Sequence, residues 1–386
     1  MRRRENRVTA VIMAVVMAAA LTACGSSEEE EETSTESTYG FEAIPEDATI
    51  EALEAANSEE DVEEEEEEED EEYVLPDDMY YSELTGEPIS KDIEDQRPVA
   101  IMIDNDSRAL PHYGLADADV VYELMNSTAN NRITRLMALY KDWGEIEMVG
   151  SIRSVRPTNI LLAQEWDAVI CHDGGPYYVD DYFSRYNYHF SGTFSRVDNG
   201  KATEFTEYVL AGDLEDNFAS SSYSTTYDDR KQDGDHFNFV DYGDELILSE
   251  VYDDAVTATN LSFPFYNTES GLKYNESTGT YDYYEFGEIC EDGDTGDVVT
   301  FENVFVLNCD YSVYDDNGYM IYNCITSLDM GYYCTNGEAI AITWAKLSEG
   351  GITTYYDVDG NELTVNTGKT YITLIPNDTW DEVTLN

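Results

Sequence analysis

Residues 151–175 read SIRSVRPTNILLAQEWDAVICHDGG, and this stretch decides the fold class. Residues 149–152 form a short apolar run. Pro157 comes next, and its fixed φ and missing N–H suit the first turn of a helix. Residues 158–166 carry Ile160, Leu161 and Ala163 at helical spacing. Residues 168–171 are again apolar and of strand length, ending at His172-Asp173-Gly174-Gly175. Strand, helix and strand in succession predict a sheet with a helix laid against it.

Upstream, residues 98–103, 120–124 and 133–140 read as three more strands. Beyond about Ser249 the texture changes to short alternating runs. They are punctuated by Ser277-Thr278-Gly279, Asp292-Gly293-Asp294, Asp316-Asn317-Gly318, Asn336-Gly337 and Asp359-Gly360. Asn-Gly and Asp-Gly between apolar runs are hairpin signals, so this part is expected to be antiparallel β. The predicted class is α+β, with an N-terminal mixed α/β domain (78–250) and a C-terminal, mainly antiparallel β domain (251–386).

The N-terminus carries an address. Arg2, Arg3, Arg4 and Arg7 precede a charge-free apolar run over residues 8–21. That run is shorter than the roughly 20 residues a bilayer span needs, but it suits an export signal. It ends in Leu21-Thr22-Ala23-Cys24, followed by Gly25, Ser26 and Ser27. Small residues before a cysteine fit a lipoprotein signal peptidase. Residues 1–23 are therefore expected to be removed and Cys24 to take a lipid, which holds the protein on the extracytoplasmic face of the cell membrane.

The chain carries 83 acidic and 20 basic residues, for a net charge of −63. Such a balance excludes nucleic acid as a partner, because that affinity is built on Lys and Arg neutralising phosphates. Much of the charge lies in the expected tether, residues 24–77. Glu28 to Glu32 are consecutive, and between Glu59 and Glu72 only Val62 is not acidic. Nothing there can bury an apolar face, so a disordered, solvated spacer is predicted. As a coil of roughly 50 residues it spans about 40 Å, and self-repulsion extends it further. Calcium uptake by this tail is a weaker reading, and the Asp-rich loops at 291–297 and 315–318 lack the ligand spacing of an EF-hand.

Five cysteines remain after Cys24. Cys171 stands alone, whereas Cys290, Cys309, Cys324 and Cys334 cluster late. Export permits disulfides. Cys324 and Cys334 are expected opposite each other in a hairpin around Asp329, with Cys309 an equally open partner for either. None of these spacings is that of a zinc site, and no cofactor is expected.

Because arginine is scarce, its placement is informative. Arg132 and Arg135 lie at the start of one expected strand, and Arg153 and Arg156 flank Ser154 at the strand–helix junction. Guanidinium forks suit carboxylate or phosphate, and a helix N-terminus adds donors. The alternative is that these arginines pair with nearby carboxylates such as Asp119, Glu123 and Asp167. His172-Asp173 at a strand end and His236-Phe237-Asn238 complete the candidate set. Ser154, His172 and an aspartate compose a hydrolytic triad on paper, without the Gly-x-Ser-x-Gly elbow. His112 and His189 read as ordinary.

Several motifs in order resemble the YerB-like lipoprotein family. They are Leu84-Thr85-Gly86-Glu87-Pro88-Ile89, residues 97–105 (RPVAIMIDN), residues 114–123 (GLADADVVYE), Ile133-Thr134-Arg135, residues 151–156 and 172–175, and then 292–297, Gly337 and 360–369. The resemblance implies a two-part α+β extracytoplasmic lipoprotein of Gram-positive type bacteria and supplies no reaction. Asp104 departs from the pattern, standing where asparagine is expected. The resulting expectation is a binding or scaffold module of the cell envelope, recognising a cell-wall component or an envelope protein through the Arg/His cluster. The alternative is a hydrolase acting on a wall polymer.

Overall fold

The computed structural model describes residues 73–186 and 188–386. The leader, Cys24 and the acidic tether up to residue 72 lie outside the described residues, and so do the expectations placed on them. No helix among the described residues is long and apolar enough to cross a membrane.

One sheet of eleven strands organises the molecule. In chain order these are β1 (Val99–Asp104), β2 (Val120–Met125), β3 (Thr134–Tyr140), β4 (Val169–His172), β5 (His189–Ser191), β6 (Val256–Thr257), β7 (Asn303–Cys309), β8 (Thr326–Thr335), β9 (Glu338–Lys346), β10 (Thr354–Tyr356) and β11 (Thr370–Pro376). Their order across the sheet is β6-β9-β8-β7-β11-β2-β3-β1-β4-β5, with β10 on β9. β1, β2, β3 and β11 are buried at every position. Strands covered on both faces need continuous apolar runs rather than alternation, which is how residues 98–103 read.

Strands from both sides of residue 250 share this sheet. β11 lies between β7 and β2 and is parallel to both, pairing Thr370 with Val120 through Leu374 with Leu124. The two halves of the sequence therefore bury one common apolar layer.

A second, wholly antiparallel sheet carries Asn260–Ser262, Gly271–Asn275, Thr280–Glu285, Glu288–Ile289, Thr300–Phe301 and Thr384–Leu385. The expected turns fall where their residues demand them. Asn336 and Gly337, at φ 50° and 74°, join β8 to β9, the left-handed pair a tight hairpin requires.

β-structure dominates, and the helices expected of residues 78–250 are few and short: α1 (Pro157–Glu165), Val179–Phe183, Asp213–Ser220 and, at the boundary, Leu248–Val251. α1 is buried along its whole length and packs against β4 and the strand Met320–Tyr322.

The cysteine expectation needs correction. Residues 326–335 form one continuous strand through Asp329, so Cys324 and Cys334 are not opposed in a hairpin. The five cysteines among the described residues are all unpaired and buried.

Candidate functional site

β1, β2, β4 and β11 run in one direction, because β1 and β2 are both antiparallel to β3 and the rest are parallel to one of them. Their carboxyl ends therefore lie on one edge, where α/β proteins commonly place ligands. Asp104 and His172 end β1 and β4 there, Arg135 opens the antiparallel β3, and Arg156 sits just before α1.

Asp104 is the hub. Its buried carboxylate accepts from Arg135 on one oxygen and lies 2.8 Å from Arg153 Nε on the other. Arg153 also reaches Glu204 at 2.7 Å. Arg156 differs. It is 6% exposed, yet no carboxylate among the described residues lies within 4.0 Å of it. Its Nη1 donates to the Val155 carbonyl at 2.9 Å, its plane lies 4.1 Å from the Tyr319 ring centre, and its Nε has no partner. Burial, then the neighbouring Arg135 charge, pushes its pKa down to about 10, so it stays charged at neutral pH. Burial also lowers that of Arg135, whose Nε is likewise unpartnered.

The two guanidiniums border a cavity of ≈ 10 Å³, lined also by Asn126, Thr158, Asn159 and Tyr322. That is room for about one water-sized atom, such as a single ligand oxygen. Asn126 Oδ1 is buried without a partner at the same place. Around Arg156 stand tyrosines that the sequence reading did not single out. Tyr178 stacks on Tyr314 at 4.4 Å, and Tyr314 shares a 3.0 Å hydroxyl contact with Tyr182. Tyr177 beside them is 85% exposed.

The remaining candidates divide. Ser154 Oγ donates to the Asp173 carbonyl at 2.9 Å. The Asp173 carboxylate takes Arg196 at 2.9 Å, and Arg196 also holds the buried Glu207. His172 contacts the Gly174 carbonyl through Nδ1 at 2.7 Å and His189 through Nε2 at 3.0 Å. A carbonyl only accepts, so Nδ1 carries the proton and Nε2 accepts from His189. With both nitrogens engaged, His172 is not hydrogen-bonded to Ser154, and the paper triad is not assembled. His189, read as ordinary, is the partner that holds His172 in place.

Arg132 leaves the cluster for a two-pronged pair with Asp378, at 3.1 and 2.6 Å. His236 is half-buried and stacks on Trp166 with ring centres 3.5 Å apart, at the end of α1 opposite Arg156, about 15 Å away by helix rise. Asn238 donates to Thr364 and lines a separate open groove of ≈ 740 Å³ with Tyr81, Phe239, Tyr242 and several acids.

Burial holds both His172 and His236 down to about 4. A histidine depressed on folding is protonated first in the unfolded chain, so these two destabilise the fold as pH falls from about 6.5 towards 4. Stability is expected to drop by about 1–2 kcal/mol per histidine between pH 7 and pH 5. His236→Phe, which keeps the stacking on Trp166, should flatten that loss. Urea denaturation at the two pH values checks it, and an unchanged slope would refute the assignment.

The fold and the site together define a mostly β-sheet protein with few helices, whose guanidinium-lined edge is built by both halves of the chain. The comparisons give that class a family. Residues 84–224 match the N-terminal domain, and residues 261–372 the C-terminal domain, of a protein of unknown function, DUF3048. The candidate lipoprotein YerB of Bacillus subtilis (strain 168) is 25% identical over 304 residues, covering 76% of this chain and 85% of YerB. The crystal structure of YerB from the same organism superposes with a TM-score of 0.66 at 21% identity, covering 80% of this chain and 99% of that one. The chain belongs to this YerB-like family.

Proposed function

We propose that this protein is a lipid-anchored binding module of the cell envelope, held outside the membrane by Cys24 and recognising an anionic wall glycan at the Arg135/Arg156 edge. The observation that carries the reading is Arg156. In a chain with four acidic residues for every basic one, a buried guanidinium without a carboxylate is anomalous, since unpaired buried charge is costly. A ligand carboxylate or phosphate oxygen entering the small cavity supplies the missing counter-charge through a charge-assisted hydrogen bond. The neighbouring tyrosines present flat apolar faces with polar rims, suited to sugar rings. The long acidic segment then serves as a spacer that keeps the module off the anionic membrane surface.

Titration calorimetry of the full mature lipoprotein tests this. The probes are a carboxylate-bearing wall glycan fragment, a phosphate-bearing wall polymer, and a neutral oligosaccharide of the same length. At least one anionic probe is expected to bind, and more weakly as salt rises. Equal affinity for the neutral oligosaccharide, or binding to none of the three, refutes the reading.

A further inference from the structure

A second cluster lies away from the arginine edge. His112, Glu285 and Cys290 are all buried, and one donor atom from each lies within 4.8 Å of the other two. His112 comes from the loop between β1 and β2, whereas the other two belong to one hairpin of the second sheet. Glu285 ends the strand Thr280–Glu285 and Cys290 follows Glu288–Ile289. Phe286 and Gly287, at φ 50° and 82°, make the tight turn between them. The Cys290 N–H donates to the Tyr283 carbonyl at 2.8 Å. Because Tyr283 is two residues from Glu285, alternation puts the carboxylate and the thiol on one face.

The polar atoms of this cluster are only partly satisfied by one another, through the His112–Glu285 ion pair. His112 Nε2 is 3.0 Å from Glu285 Oε1, but neither ring nitrogen forms an aligned hydrogen bond, and Glu285 Oε2 has no partner. Buried polar groups are normally paired, and an unfilled set of this kind is where an ion is to be sought. The backbone around it is fixed. Gly293 N–H donates to the His112 carbonyl at 2.6 Å, and a Cβ at Gly293 would lie 2.8 Å from Pro111, so the two loops are pressed together.

We propose that His112, Glu285 and Cys290 form a zinc site with three protein ligands that pins the β1–β2 loop to the second sheet. Imidazole nitrogen, carboxylate oxygen and thiolate sulfur are the ligand types zinc takes, at about 2.0–2.3 Å. Ligand atoms around such an ion stand roughly 3.5 Å apart, which small side-chain rotations reach from the present spacing. On binding, the Cys290 S–H bond breaks and the proton that His112 Nε2 shares with Glu285 is given up; both protons leave to solvent, and the sulfur, nitrogen and oxygen lone pairs form the bonds to zinc. One thiolate and one carboxylate then cancel the two positive charges, so the assembled cluster is neutral where burial of net charge would be costly. Because the ligands are interior, the ion enters as the exported chain folds. His112 lies more than 170 residues before Glu285 and Cys290 in the chain, which hides the site from any reading of cysteine spacing.

The test uses the full mature chain without a histidine tag, washed with a weak chelator to strip ions from the acidic segment. Elemental analysis is expected to find about one zinc per chain, falling at least tenfold in both Cys290→Ser and His112→Gln. Cobalt substitution of the wild type should give a thiolate-to-cobalt charge-transfer band, a readout that stands even if the variants fail to fold. A folded wild type with no retained zinc and no such band overturns the proposal. So does zinc content that Cys290→Ser leaves unchanged.

Discussion

Replacing Lys346 by methionine is expected to lower unfolding free energy by about 3–5 kcal/mol, the range for breaking a buried ion pair from one side. Lys346 on β9 and Glu165 on α1 are 0% and 1% exposed and lie 2.9 Å apart. Glu165 also accepts the Thr353 N–H at 3.0 Å, the Thr353 hydroxyl at 2.7 Å and the Tyr122 hydroxyl at 3.1 Å. Methionine has nearly the volume of lysine, so packing survives while the carboxylate is left buried without a counter-charge. Removing both charges, in Lys346→Met with Glu165→Gln, should restore most of the loss. The two residues come from opposite sides of residue 250 in the sequence and meet on one face of the shared sheet. Urea denaturation should therefore show one transition moved to lower denaturant with its slope unchanged. A loss below about 1 kcal/mol, or two separate transitions, would contradict a single core common to both halves.

Arg156→Leu is expected to do the opposite to stability. Its guanidinium is buried without a carboxylate, so replacing it by an apolar side chain should leave stability unchanged or raise it, as replacing buried charge often does. Binding of the anionic wall probe should fall at least tenfold, about 1.4 kcal/mol. Gained stability with lost binding is the signature of a group kept for function. Arg156→Lys should not rescue binding, because a point charge supplies neither the planar fork nor the stacking on Tyr319. Arg132→Ala serves as the control. Its partner is Asp378, and binding should be indifferent to it. Equal losses in Arg132→Ala and Arg156→Leu would mean that general charge, rather than this site, holds the ligand.

Much of the fold was legible because local chemistry and the final structure agree. The run at residues 98–103 is apolar throughout since β1 is covered on both faces, and Asn336-Gly337 forms the turn its conformational freedom favours. The junction at residues 151–157 likewise announced a polar edge. The shared sheet was not legible. Whether β11 pairs within its own half or beside β2 depends on long-range register, which no local pattern encodes. The site was half legible for the same reason. Scarcity drew attention to Arg135, Arg153 and Arg156, but nothing local separated them from Arg132, whose partner lies 246 residues further on. The sequence likewise hid that Asp104 satisfies Arg135 and Arg153 while leaving Arg156 alone, and that His236 is occupied by Trp166. The tyrosines at 178, 314 and 319 passed unnoticed among 31, since abundance removes the signal that rarity gave to arginine.

The central claim is that Arg156 receives a ligand anion. Nitrogen-resolved NMR of the arginine Nε–H groups reads it most directly, in the full mature protein titrated with the anionic wall glycan fragment. The Nε–H resonances of Arg156 and Arg135 are expected to shift together and exchange more slowly with water, while that of Arg132 stays in place. If the fragment binds and the Arg156 resonance does not move, the ligand is held elsewhere and the assignment of this edge is wrong.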